Sequence, residues 1–346
     1  METMEKPTSM FAWQHTSSAG GVDKHLKYTE SVPLPDQPPG SVLVKVLRTS
    51  LNPVDYKMHE IPLLHRFIGH PASLGGDFVG RVVESSGMAG FESGDLVVGK
   101  LRPLKKHGTL AEYITVMPDR KEPMVKVDEP GAFRKLDELA GIPTAGTTAL
   151  RSLKGVPTGG RVFINGGSGG TGMYGVQIAK HMGLEVVVTC SARNEAFVRG
   201  LGADEVIDYT KVNVVDALKE SVRRAGRKFD RIIDNVGSNP DIYWNTPAYL
   251  IDAGLFIIVG APVAASSFFN LMKIFCWPRI LGGGKNDVRV LWTPPVADEL
   301  KEVADLMLDG KIRTEMESFP LEQVPDAVRR MKSGRTTGKI VVKMSD

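Results

Sequence analysis

The sequence predicts an α/β protein of two domains, one mostly β and one a doubly wound parallel sheet. Three observations carry this. A strand-like run at 162–165 meets a glycine-rich turn at 166–172, and a helical pattern follows with Tyr174, Ile178 and Ala179 on one face. Beyond about residue 138, apolar strand-like runs alternate with helical stretches, the pattern of a parallel sheet covered on both faces. Before that point the chain reads as closely spaced strands and turns, which predicts a rolled, partly antiparallel sheet.

The totals agree. A chain of 346 residues, 42% apolar and 24% charged, has the make-up of an ordinary globular protein with room for two cores. A net charge of +3 is small for this size and argues against nucleic acid or a membrane surface as the main partner. Cys190 and Cys276 offer no disulfide framework, so a reducing cytoplasm is expected. The opening residues, with Glu2, Glu5 and Lys6, hold no apolar core, so no secretory signal is expected. The apolar run 268–281 is interrupted by Lys273, Pro278 and Arg279 and is too short to span a bilayer. It reads as a buried loop, a pocket wall or a subunit contact. Lys105-Lys106-His107 is the nearest approach to a basic cluster and reads as a solvated loop.

In chain order, 41–47 alternates Val42, Val44 and Val46 toward one face. The segment Asn52-Pro53-Val54-Asp55-Tyr56-Lys57 follows that strand. Further strands are expected at 75–83, 94–99 and 108–116, and a helix at 143–153. The alternating region then gives strands at 161–165, 185–190, 205–207, 229–235, 254–259 and 288–292. Helices fall at 172–182, 195–201, 214–225 and 296–308. A last strand at 338–342 is expected to return to the first domain. Glycines 166, 169 and 172 let the backbone turn tightly, and the free N–H groups opening the next helix can hold a diphosphate. Their spacing is G-x-x-G-x-x-G, a loose fit to the dinucleotide fingerprint, and simple punctuation is the alternative reading.

Six segments now stand in order: 52–57, 75–83, 108–113, 166–172, 201–209 and 337–342. Together they resemble the medium-chain dehydrogenase/reductase superfamily, in its zinc-free quinone oxidoreductase-like branch. The resemblance covers nearly the whole chain. It implies a GroES-like, mostly β catalytic domain over 1–137, completed by 304–346, and a Rossmann domain over 138–303. It further implies NADPH bound between the two, a small-molecule substrate and a homodimer paired through 288–292.

Zinc-dependent members of the superfamily carry a Cys near position 52 and a Gly-His-Glu where this chain has Gly75-Gly76-Asp77. Gly76 has no side chain to offer, and His70 is followed by Pro71 with no Cys partner in sight, so no metal is expected. Without a Lewis acid, reduction of a quinone or a carbonyl-conjugated alkene is expected rather than alcohol oxidation.

NAD-specific sites end their second strand with an Asp or Glu. Here 189–194 reads Thr-Cys-Ser-Ala-Arg-Asn, with no carboxylate before Glu195. Ser191, Arg193 and Asn194 suit a 2′-phosphate, which favours NADPH; the alternative is that Arg193 merely opens a surface helix. Tyr209 resembles a tyrosine flanking the same phosphate. Ser168, Gly169, Gly170 and Thr171 belong to the diphosphate turn. Val259 and Gly260 resemble the segment meeting the nicotinamide amide, with a plain strand-end turn as alternative. Gly338 and Lys339 resemble a C-terminal cofactor contact, against which stands a surface lysine. Thr147, with Thr144, resembles the segment beside the nicotinamide, or else caps its own helix. Asn52 orders its loop or contacts the cofactor, and Asp55 at the same cofactor-facing segment reads as a turn residue or helix cap rather than a base.

The implied chemistry is hydride transfer to an electron-poor carbon. Tyr56 resembles a tyrosine whose hydroxyl faces the substrate and could donate a proton, with Lys57 as a rival; packing and a solvated lysine are the alternatives. Two rival functions stand beside a quinone or enone reductase. One is a trans-acting enoyl reductase of a polyketide or fatty-acyl pathway; the other is an NADPH-binding protein without turnover.

Overall fold

A computed structural model describes residues 7–87, 90–118, 122–127, 131–132, 135–260, 265–277, 284–291 and 296–345, with the backbone alone for 265–268. The chain divides into two compact units, Met1–Thr147 with Pro294–Asp346, and Thr148–Thr293.

The first unit is built on a seven-stranded sheet. Its order is Met316–Pro320, Lys339–Lys343, Val42–Leu51, Asp77–Ser85, Leu96–Lys100 and Met124–Lys126, with Tyr113–Val116 also paired to Val42–Leu51. Every pairing is antiparallel except that of Met316–Pro320 with Lys339–Lys343. Val42–Leu51 is central and buried on both faces. Val42, Val44 and Val46 face the main core, and Leu43 packs the other way with Met10, Ala12 and Val83. The expected one-sided alternation therefore gives way to two-sided burial. The second face is covered by a two-stranded sheet, Ser9–Gln14 with Lys27–Pro33, which local sequence did not signal.

Asn52 ends that central strand and opens the helix Pro53–Glu60. Pro53 sits where a missing N–H costs nothing, and the Asp55 carboxylate accepts from the Asn52 backbone N–H at 2.7 Å. Asp55 is thus a cap, as its position suggested.

The second unit is a six-stranded, fully parallel sheet. Its order is Glu205–Asp208, Glu185–Cys190, Arg161–Asn165, Phe229–Asp234, Leu250–Ile258 and Asp287–Val290. In order of appearance that is 3-2-1-4-5-6, the doubly wound arrangement. Val162, Phe163 and Ile164 are wholly buried, as a strand covered on both faces must be. The helix Val214–Ala225 shows how local sequence sets the layer. The Asn213 side chain accepts from the Asp216 N–H at 3.1 Å, Gly226 closes the helix at φ 66°, and Val215 and Leu218 are buried. At the start of the first strand, Arg161 is 1% exposed. Its guanidinium lies 4.3 Å from the centre of the Phe229 ring and bonds to Glu185 at 2.6 Å and to Ser221 at 2.7 Å. A buried charge is tolerable only with such partners.

Of the three readings of the run at 268–281, the buried loop fails where the run is described, because Ala265–Cys276 is a helix, while Asn270, Leu271 and Ile274 line a small pocket, as the pocket-wall reading expects. Leu271 and Ile274 pack on the core while Phe269, Met272 and Phe275 are exposed. An apolar side chain on nearly every face hides helical periodicity. The remainder, 278–283, lies outside the described residues, as do 261–264 and Trp292.

Candidate functional site

In the second unit, the strand Arg161–Asn165 feeds the glycine turn and the helix Gly170–His181, with Gly169 as its cap residue. The turn is sterically closed to other residues. A Cβ on Gly172 would lie 2.1 Å from the Gly166 carbonyl oxygen, while Gly166 adopts φ +81°. Beneath the turn lies a buried polar scaffold. Thr189 Oγ1 accepts from the Gly166 N–H at 2.8 Å and donates to Asn165 Oδ1 at 2.6 Å. Asn165 Nδ2 donates to Asp234 Oδ1 at 2.8 Å. Asp234 Oδ1 also accepts from the Val236 and Gly237 N–H groups at 3.0 and 2.9 Å. The scaffold ties the ends of the first, second and fourth strands, at the point where strand order reverses and ligands bind in such sheets.

Other expected cofactor residues gather at the same strand ends. Ser168 Oγ accepts from Asn194 Nδ2 at 3.0 Å, which links the glycine turn to the segment after the second strand. Ser191 is half-buried and Arg193 exposed in the short turn Ala192–Asn194. Glu195, the nearest following acid, is paired to Arg199 at 2.9 Å, down its own helix. Tyr209 is exposed just past the third strand. The Val259 N–H donates to the Asp234 carbonyl at 2.9 Å. A Cβ on Gly260 would lie 2.2 Å from the Asn235 carbonyl oxygen.

Asn235 was missed by the sequence reading. It follows the fourth strand, and both polar atoms of its amide are buried without a hydrogen-bond partner among the described residues. An amide so placed costs about 1–3 kcal/mol unless a ligand completes it. The glycine cradle, the open helix start and this orphan amide fit a dinucleotide. The signal in the sequence was the short polar-glycine stretch after an apolar strand, 235–239.

In the first unit a second cluster is buried. Asn52, Asp77 and Lys339 are 5%, 0% and 3% exposed. Asn52 Nδ2 donates to Asp77 Oδ2 at 2.8 Å, and Lys339 Nζ donates to Asn52 Oδ1 at 2.5 Å. Thr144 donates through its backbone N–H to Asp77 Oδ2 at 3.1 Å and through its hydroxyl to Asp77 Oδ1 at 2.6 Å. Lys339 is therefore no surface lysine. Burial pulls its pKa down against the pull of Asp77 and Asp55. Gly338, at φ +71°, turns the chain into this strand. Burial, then the charge of Asp77, pushes the Asp55 carboxyl up to about 7. Thr147 donates its hydroxyl to the Pro143 carbonyl inside its own helix, so that proton is spent there.

Tyr56 and Lys57 lie on the helix beside this cluster. The Tyr56 ring packs on the core with the Lys332 ammonium 5.6 Å from its centre, and its hydroxyl has no partner among the described residues. Burial and Glu60 raise the pKa of the phenol, and burial lowers that of the Lys57 amine. Tyr56 therefore stays protonated at neutral pH and can donate.

The comparisons with known proteins fit this geometry. A family profile described as an alcohol dehydrogenase GroES-like domain matches residues 38–129, and one described as a zinc-binding dehydrogenase matches 201–342. A trans-enoyl reductase of Aspergillus terreus, pgmF, is 38% identical and aligns over 98% of each chain. The chain belongs to the medium-chain dehydrogenase/reductase superfamily, in its quinone oxidoreductase-like branch. Another relative, a chloroplast envelope quinone oxidoreductase homolog of Arabidopsis thaliana, is 34% identical over 96% of this chain and 98% of its own. The quinone oxidoreductase of Coxiella burnetii superposes with a TM-score of 0.79 at 28% identity, covering 97% of this chain and 99% of that one. As a member of this superfamily branch, the protein is an oxidoreductase of the quinone- and enoyl-reductase kind with a nicotinamide dinucleotide, NAD(P)H, as cofactor.

Proposed function

We propose that the protein is an NADPH-dependent, metal-independent reductase of a quinone or an α,β-unsaturated carbonyl compound. The observation that carries the cofactor half is the glycine cradle with its orphan Asn235 amide. Ser168, Gly169, Gly170 and Thr171 hold the diphosphate on backbone N–H groups. Ser191, Arg193, Asn194 and Tyr209 take the 2′-phosphate, with Glu195 held aside by Arg199. Val259 and Gly260 face the nicotinamide amide. When bound, the reduced cofactor supplies a hydride.

Metal independence is supported by the donors in the first unit. Asp77 is occupied by Asn52 and Thr144, Asp55 by the Asn52 N–H, and the nearby charge is an ammonium. A divalent ion there would face the Lys339 ammonium. An enone substrate accepts hydride at the β-carbon, and the resulting enolate takes a proton at the α-carbon. Tyr56 stabilises the enolate oxygen or supplies that proton, with Lys57 as the second donor.

A trans-acting enoyl reductase is the second reading, favoured by the Aspergillus relative and its full-length match. Free Cys190 and Cys276 support a reducing compartment, which we take to be the cytoplasm. The exposed edge strand Asp287–Val290 supports a homodimer. No helix among the described residues is long and apolar enough to cross a membrane.

The test is nucleotide oxidation with NADPH and NADH in parallel, against quinones, enones and an enoyl thioester, with and without chelator. Turnover with NADPH, insensitive to chelator, is expected. Arg193→Ala should raise KM for NADPH by about 10–100-fold and leave that for NADH unchanged. Equal use of both nucleotides by the unaltered enzyme sinks the cofactor assignment, and binding without turnover favours the non-enzyme reading.

A further inference from the structure

A second cavity lies in the first unit and shares no residue with the reductase cluster. Its volume is ≈ 700 Å³, within the range of small-molecule sites. Two kinds of surface line it. Val32, Leu34, Pro35, Pro38 and Met117 make an apolar wall, and a single loop adds Arg102, Lys105 and Lys106 against one carboxylate, Asp36. This loop is not simply solvated. Lys105 donates to Glu122 at 2.8 Å and to the Thr115 carbonyl at 2.5 Å, which fixes it against the cavity. Lys106 is exposed and makes no ion pair among the described residues.

Three wall residues carry an unmet polar atom. Gln14 and Thr115 are 6% and 8% exposed, His107 is half-buried, and Gln14 Nε2, Thr115 Oγ1 and His107 Nδ1 have no hydrogen-bond partner among the described residues. Each costs about 1–3 kcal/mol as it stands. Three such atoms on one cavity mark a place where a ligand completes the bonding. Among the described lining residues His107 is the only aromatic ring.

We propose that this cavity binds a small organic anion with an aliphatic body, its anionic end on Lys106, beside the Arg102 guanidinium that pairs with Glu122 at 3.5 Å, and its chain on the apolar wall. The shared chemistry admits a carboxylate or a phosphate monoester head. Arg102 and Lys105 also line the small recess beside Asp55 and Gly76, so the ligand would touch a loop common to both places.

Calorimetric titration tests this with decanoate, decyl phosphate and uncharged decanol, on the wild-type protein and on Lys106→Glu and Ser31→Trp. Ser31 is an exposed lining residue, so a tryptophan there fills space without touching the core. Reductase activity should be unchanged in both variants, which keeps this result separate from the function proposed above. The proposal predicts saturable single-site binding of at least one anion. Lys106→Glu should weaken it about tenfold while sparing decanol, and Ser31→Trp should weaken all three. The tighter of the two anions identifies the head group. No saturable binding of either anion at millimolar concentration, or binding indifferent to both substitutions, overturns it.

Discussion

Replacing Asp77 by Asn probes the buried cluster most directly. The carboxylate is 0% exposed and accepts three hydrogen bonds, from Asn52 Nδ2, the Thr144 N–H and the Thr144 hydroxyl. Asparagine keeps the shape. Its oxygen can serve Asn52 and the Thr144 N–H, and its NH2 can donate to the Thr144 hydroxyl once that hydroxyl rotates. The bond count survives, so the loss is one negative charge near the buried Lys339 ammonium. Removing one partner of a buried charge pair costs about 3–5 kcal/mol. Asp55 softens this, because its carboxyl, pushed up to about 7 by burial and by Asp77, ionises more readily once Asp77 is neutral. The expectation is therefore a loss of about 2–3 kcal/mol at neutral pH. Urea unfolding followed by circular dichroism, fitted with one transition for each unit, measures it. Asp77→Asn with Lys339→Met should cost less than the sum of the two singles, and adding Asp55→Asn to Asp77→Asn should restore the full penalty. A loss under about 1 kcal/mol, or strict additivity, refutes the electrostatic account.

Three further outcomes are expected. His15 and His59 share a 2.8 Å hydrogen bond, and burial lowers their pKa values from 6.5 to about 4 and about 3. The unfolded chain then binds more protons, so their contribution is full above pH 6.5 and declines on acidification; His59→Gln should make the loss between pH 7 and 5 shallower by about 2 kcal/mol in denaturant titrations. Gly172→Ala should weaken NADPH binding about 100-fold with circular dichroism unchanged, since its Cβ would sit 2.1 Å from the Gly166 oxygen; unchanged affinity would clear the turn of any role. Asn235→Ala should leave stability equal or raise it by about 1 kcal/mol while cofactor affinity falls about tenfold; a destabilised variant with normal affinity would make Asn235 structural.

Local pattern revealed the second unit well. Strands such as Arg161–Asn165 are buried on both faces, so they appear as short unbroken apolar runs between turns. It failed at Ser9–Gln14, Lys27–Pro33 and Ala265–Cys276. The first two cover a sheet face that no local signal announces, and the third is apolar on too many sides to show a period. The site divided in the same way. The glycine turn follows from residues adjacent in sequence. The burial of Lys339 does not, because its partner Asn52 is 287 positions away. Asp77 stood in plain view between glycine and phenylalanine, but its role depends on Thr144, 67 positions on.

The strand Lys339–Lys343 lies along the far half of Val42–Leu51, where Ile340 is opposite Leu51. The parallel-sheet unit, by contrast, is one uninterrupted stretch of chain. A ribosome making this protein therefore finishes the glycine-turn unit while the β-rich unit still has an empty place in its sheet and no amine beside Asn52. An event that halts translation after residue 293 and before residue 339 leaves a chain whose nucleotide-type half is complete and whose other half exposes a raw strand edge, a target for chaperones and proteases rather than a slower enzyme.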